Sequence, residues 1–191
     1  MATASRRRFP ALLSRRNGVS AEEAIRGTAR LGRRTKDLVK RLRPGDVAVI
    51  DHLNIDRIAA EELIASGVGA VLNAAQSSDG RYPNAGPLLL ARSGIALIDA
   101  DGADPFELLE DGAELTIVAG AVSSGGREVL RGTVLRVEEL EGRLAAQRER
   151  VDEALAEFAE NTVAHVARRP TCSPARSSSR RRAPLSVTAR C

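Results

Sequence analysis

Residues 45–98 read GDVAVIDHLNIDRIAAEELIASGVGAVLNAAQSSDGRYPNAGPLLLARSGIALI, and this stretch decides the fold. Val47-Ala-Val-Ile50 is a short apolar run between Gly45-Asp46 and Asp51, the pattern of a buried strand. Asn54 can cap a helix whose apolar positions Ile55, Ile58, Ala59 and Leu63 share one face, and Gly67 ends it. Ala70-Val-Leu72 is a second strand. A long polar loop, Asn73 to Pro87, follows; Pro87 opens a short helix through Ala91, and Gly94 ends it. Ile95-Ala-Leu-Ile98 is a third strand. Strand, helix, strand, helix, strand predicts an α/β unit with parallel strands.

Working outward, Leu115–Val118, Glu128–Leu130 and Thr133–Leu135 read as strands, with turns at Ser123-Ser-Gly-Gly126 and Arg131-Gly132. The expectation is a small β subdomain after the α/β layer. Val137 to Val166 predicts one long helix, with Val137, Leu140, Leu144, Val151, Leu155, Phe158, Val163 and Val166 stepping mostly by three, four or seven. At about 1.5 Å per residue it would run roughly 45 Å. Such a helix either folds back on its own domain or offers part of its stripe to a partner helix or a following domain. On the other side of the α/β unit, Ser20-Ala-Glu-Glu has the form of a helix start, and Thr35–Leu42 that of a short amphipathic helix stopped by Pro44-Gly45. Gly27–Lys36 is poorly spaced for a phosphate-binding P-loop, and reads as a solvated helix face or a basic collar.

The reading is therefore α/β: a small swivelling-type β/β/α domain followed by a long amphipathic helix. Its bounds are a disordered basic arm at 1–19, the α/β domain with its β subdomain at 20–136, the helix at 137–169 and a disordered basic tail at 170–191. The tail has five Arg, no acid, no apolar period and both cysteines. A frame shift in a GC-rich gene would produce that mixture, and the expectation is that it is not the evolved continuation.

Composition removes several function classes. The chain is 43% hydrophobic and 28% charged, so it can bury a core. Its only aromatics are Phe9, Phe106, Phe158 and Tyr82, which excludes stacking platforms for single-stranded nucleic acid. Two His and two Cys do not make a zinc site at the usual spacings. No apolar run is long enough for a membrane span, and the basic N-terminus lacks the apolar segment of a secretory signal. The expected location is cytoplasmic. The net charge of +4 hides an asymmetry: residues 1–43 hold 13 basic and 3 acidic residues, and residues 44–169 hold 11 basic and 22 acidic. Basic ends on an acidic body point to termini that contact an acidic surface, such as a membrane, or equally to disordered ends with no fixed partner, and do not make the body a specific nucleic-acid binder.

The chemistry-bearing stretch is the loop after the second strand. Ligands of open α/β sheets sit outside the carboxyl ends of the strands. Asn73, Ser77, Ser78 and Asn84 offer hydrogen-bonding groups there, Gly80 permits close backbone approach, and Tyr82 lies beside them. Arg81, the only basic side chain between Arg57 and Arg92, carries a fork suited to an anion or phosphoester. The competing reading is a loop stitched by its own side chains, with Arg81 in a buried pair with Asp79 or Asp51. Asp51, His52 and Asp56 near the same edge are accessory candidates for holding a divalent ion or moving a proton; equally, they are ordinary turn and cap formers. No catalytic residue and no metal site is assigned.

GTARLGRRTKDLVKRLRPGDVAVIDHLNIDRIAAEELI, GRYPNAGPLLL and FAENTVAHV resemble the actinobacterial SteA-like family, over about residues 20–168. The resemblance implies a part in septum formation at the division site, division-site partners, and a C-terminal half similar to thiamine pyrophosphokinases. The sequence departs from that pattern after Arg169. ATP binding belongs to the kinase-like half and is carried onto no residue here, so no cofactor is expected. An enzyme of the thiamine pyrophosphokinase type is the alternative expectation. A weaker similarity is to the swivelling phosphohistidine domain of phosphoenolpyruvate-utilising enzymes, through Gly45-Asp46, Gly80-Arg81, Gly94-Ile95 and Asp111-Gly112. The phosphoryl-carrying His of that family falls at Asn84, whose amide has no basic lone pair, so that similarity implies a binding site without transfer chemistry.

Overall fold

The parallel strands lie where the apolar runs place them, and β-strands on both sides of them close the sheet on itself. The computed structural model describes residues 24–167. The basic arm, the Ser20 helix start and the 170–191 tail lie outside them. The elements are β1 (Ile25–Leu31), α1 (Thr35–Leu38, continued by a 3-10 turn, Val39–Arg41), β2 (Val47–Ile50), α2 (Arg57–Ser66), β3 (Ala70–Asn73), α3 (Gly86–Arg92), β4 (Ala96–Ala100), α4 (Pro105–Leu108), β5 (Glu114–Val118), β6 (Ala121–Ser124), β7 (Arg127–Leu135) and α5 (Val137–Ala167).

The seven strands form a closed barrel in the order β1-β2-β3-β4-β7-β6-β5. β1 to β4 are parallel neighbours, and β5, β6 and β7 run antiparallel. β7 pairs with β4 and β5 with β1. The β segment thus completes the barrel instead of standing apart as a subdomain, and no described strand is left with a free edge.

Alternation along the parallel strands explains two cores. Val47, Val49, Ala70, Leu72 and Ile98 point into the barrel, where they meet Leu115, Ile117, Val122 and Leu130. Ala48, Ile50, Val71 and Leu97 point outward and are covered by Ala59, Ala60 and Leu63 of α2, Leu88 and Leu90 of α3, and Leu140 and Leu144 of α5. Strands buried on both faces read as continuous apolar runs, which is why they were visible in the sequence.

Four local expectations are corrected. Residues 25–31, read as part of a basic or helical stretch, are the first strand. Arg131-Gly132 is no turn, because β7 runs unbroken through it. The cap of α2 is Asp56, whose Oδ1 accepts from the Ala59 amide at 2.8 Å, while Asn54 takes a left-handed conformation at φ 57°. Ile58, assigned to the buried face, is exposed.

Two units are distinguished along the chain, dividing after Glu153. In the first, the early turns of α5 bury Leu140, Leu144 and Gln147. In the second, the described helical residues 154–166 are exposed throughout, including Leu155, Phe158, Val163 and Val166. No helix among the described residues is long and apolar enough to cross a membrane.

Candidate functional site

The carboxyl ends of β1 to β4 gather the polar residues of the domain. Asn73, the last residue of β3, is fully buried and spends its whole amide on the backbone and loop. Its Oδ1 accepts from the His52 amide at 3.0 Å, and its Nδ2 donates to the His52 carbonyl at 2.9 Å and to Ser77 Oγ at 3.0 Å. Ser77, also fully buried, donates from Oγ to one Asp99 carboxylate oxygen at 2.5 Å and from its amide to the other at 3.0 Å. Burial pushes the Asp99 carboxyl above the ordinary carboxylate range, partly offset by these two bonds from Ser77. Asn84 Nδ2 donates to the Ser77 carbonyl, and Asn84 Oδ1 accepts from the Gly86 amide. Asn54 Oδ1 accepts from the Asp79 amide, and Gln147 Nε2 on α5 reaches Ser78 Oγ at 3.4 Å. Among the described residues no buried side-chain polar atom lacks a partner.

The loop is thus stitched by Asn73, Ser77 and Asn84, its own residues, together with Asn54, Asp99 and Gln147. Several backbone donors that an anion would need are engaged: the Ser77 amide by Asp99, the Asp79 amide by Asn54, and the Arg81 amide by Asp79 Oδ1. The bond from the Arg81 amide holds the Asp79 carboxyl below its usual range. Gly80 takes φ 79°, which favours glycine at this turn. Beyond it the tip is open. The Arg81 side chain is 82% exposed, with Nε 3.8 Å from Asp79, and Tyr82 is exposed. The expected buried Arg81 pair with Asp79 or Asp51 is not formed.

The accessory residues serve separate neighbours. Asp51 pairs with Arg33 at 2.7 Å, and the same guanidinium reaches Asp104 at 2.8 Å while lying over the Phe106 ring. These bonds hold the Asp104 carboxyl low, through Arg33 first and the Phe106 amide second. In the Gly27–Lys36 stretch, the residues up to Leu31 belong to β1, and Arg33, between β1 and α1, is spent on Asp51 and Asp104. His52 Nδ1 lies 3.0 Å from the hydroxyl of buried Thr35, and Asp56 is committed to its cap. Among the described residues no group of three His, Cys, Asp or Glu side chains is placed to hold a metal ion.

Sequence reasoning missed Asp99, Asn54, Thr35 and Gln147. Asp99 carried a usable signal: it is the first acid after the apolar run of the third parallel strand, at the edge already suspected. Gln147 carried one too, as a polar residue at a stripe position between Leu144 and Val151.

No family model and no curated protein matches the sequence. Among solved structures, the chain is similar to a 3-isopropylmalate dehydratase from Methanocaldococcus jannaschii, at 13% identity and a TM-score of 0.42, over 69% of this chain and 99% of that one. It is also similar to RraAS2 of Streptomyces coelicolor, an unusual member of the RNase ES inhibitor RraA family, at 12% identity and a TM-score of 0.30, over 74% of this chain and 79% of that one. Likenesses this faint carry nothing to the function.

Proposed function

We propose that this chain is a non-enzymatic assembly module of a SteA-like cell-division protein, acting in septum formation by self-association through the end of α5. The observation that carries the reading is the apolar stripe on that helix. Leu155 is 61% exposed and Phe158 and Val163 are each 69% exposed, at positions where a helix of a soluble domain ordinarily buries its apolar face. The loop supports it from the other side. Its buried polar groups hold the barrel edge together, a scaffold's use of Asn and Ser. The resemblance through GRYPNAGP supplies the cellular setting, division-site proteins and the septum.

Sedimentation of the full chain is expected to show a dimer that Leu155→Glu with Phe158→Glu converts to a monomer, with unchanged circular dichroism. A fluorescent fusion in an actinobacterial host is expected at septa, and the double variant is expected to lose that position. A wild-type chain that stays monomeric at high concentration overturns self-association. ATP-dependent thiamine diphosphate synthesis by the purified chain overturns the non-enzymatic reading.

A further inference from the structure

The first unit of the chain is charged unevenly. Residues 24–46 hold 8 basic and 2 acidic residues, and residues 47–153 hold 9 basic and 19 acidic. The basic part is β1, α1 with its 3-10 turn, and the loop into β2. Both of its acids are already paired, Asp37 with Lys40 at 3.0 Å and Asp46 with Arg30 at 3.3 Å. Arg33 and Arg41 are spent on Asp51, Asp104 and Asp111. In the α1 segment Arg34, Lys36 and Arg43 remain, all exposed and with no ion pair among the described residues.

Packing fixes the side on which they stand. Thr35 and Leu38 are buried, and Val39 and Leu42 pack against the outer core. That side of the segment is held on the barrel, which leaves Arg34, Lys36, Lys40 and Arg43 in solvent. The sequence ahead of β1 carries the same sign: residues 1–23 add five Arg against two Glu.

We propose that this α1 face docks on an anionic phospholipid surface. A negative surface attracts the basic face and repels the acidic remainder of the unit, so the uneven charge orients the domain as well as holding it. A duplex is a poorer fit. α1 is four residues long, too short to fill a major groove. Residues 24–46 contain no Asn or Gln to read adenine and no aromatic side chain to stack on a base. Each basic side chain beside an anionic bilayer strengthens binding about fivefold, so the three unpaired cations together supply on the order of a hundredfold. The docking is independent of the α5 end, and its failure leaves self-association standing.

The test is sedimentation of the full chain with two kinds of vesicle, pure phosphatidylcholine and phosphatidylcholine mixed with phosphatidylglycerol. Arg34→Gln with Lys36→Gln and Arg43→Gln removes three charges from the face and breaks no ion pair among the described residues. Arg127→Gln with Arg136→Gln and Arg150→Gln removes three charges from exposed positions elsewhere on the unit. The wild type is expected on the mixed vesicles and not on the pure ones. The face variant is expected to bind at least tenfold more weakly with unchanged circular dichroism, and the control variant within about threefold of the wild type, because its charges lie away from the contact and are screened. Equal losses in the two variants would mean that only net charge is read, and overturn the proposal. A wild type that ignores phosphatidylglycerol overturns it, as does a face variant that binds like the wild type. Duplex DNA at a phosphate concentration equal to that of the anionic lipid is expected to leave the wild type on the vesicles; full displacement would assign the face to nucleic acid instead.

Discussion

The floor and the tip of the 73–87 loop use the same kinds of residue to opposite ends. At the floor, Asn73 and Ser77 are fully buried, and each of their side-chain polar atoms is bonded to His52, to the other residue or to Asp99. At the tip, Arg81 and Tyr82 stand in solvent, and among the described residues Asp79 is the one carboxylate within ion-pair distance of Arg81. A buried polar group without a partner costs about 1–3 kcal/mol, so floor residues hold the barrel edge by what their loss would leave unpaired. Tip residues leave nothing unpaired. Polar residues in a loop outside a sheet edge therefore divide by burial into those that build the edge and those free to meet something else.

The sharpest way to break this contrast is at the junction of floor and helix. A Cβ on Gly86 would collide with the Ile55 carbonyl and press on the Asp56 carbonyl, both backbone atoms that cannot swing aside. Gly86→Ala is expected to cost about 3 kcal/mol in denaturant unfolding, the upper end of overpacking penalties. Asn73→Ala comes next, at about 2 kcal/mol, because it strands the half-buried His52 amide and carbonyl and the side of Ser77 Oγ facing Asn73. A loss under 0.5 kcal/mol in both variants would show that the floor is not what fixes the loop.

Much of this was legible and some was hidden, for reasons particular residues supply. β2, β3 and β4 were plain because both faces are buried. β1 alternates Ile25, Gly27, Ala29, Leu31 against Arg26, Thr28 and Arg30, but two of its inward positions are too small to read as apolar. Gly27 must be small because a Cβ there would meet the Gly45 carbonyl of the crossing chain. Gly132 sits in β7 for the same reason, against the Asp99 carbonyl and Ile98, and imitated a turn. β6, with Ser123 and Ser124 and an irregular register beside Val122, had no apolar alternation to show. In the candidate site, Asn73, Ser77 and Asn84 were found, but their partner Asp99 lies 22 residues beyond Ser77, a distance that local pattern does not cross.

A smaller effect tests the floor through pH. Because burial raises the Asp99 carboxyl, the folded protein holds that proton to higher pH than the unfolded chain does. This group favours folding most below the unfolded value of about 3.9, and its contribution is lost as pH rises through the folded value. Arg143 and Asp101, the charged groups acting on it, pull in opposite directions. Asp104 and Asp111 are lowered, so they contribute the reverse slope, present above their unfolded values and lost as pH falls. Subtracting Asp99→Asn from the wild type isolates the one group. The stability difference between them is expected to shrink as pH rises from about 3 to about 7. A difference that grows over that range would place Asp99 among the ordinary ion-paired carboxylates.

The smallest effect belongs to the tip. Arg81 is 82% exposed and only 3.8 Å from Asp79 at its nearest, so its pairing is of the surface kind, worth at most about 1 kcal/mol before the cost of ordering a long side chain. Arg81→Ala is expected to leave unfolding in buffer within about 0.5 kcal/mol of the wild type. A loss of several kcal/mol would mean a buried partner and would erase the distinction between floor and tip. Because the variant is near neutral without ligand, it also isolates anion binding. Thermal midpoints of both proteins with and without phosphate and pyrophosphate separate the cases. A shift present in the wild type and absent in Arg81→Ala assigns the anion to the tip. A shift of equal size in both removes Arg81 from any such site, since the floor amides of Ser77 and Asp79 are already committed to Asp99 and Asn54.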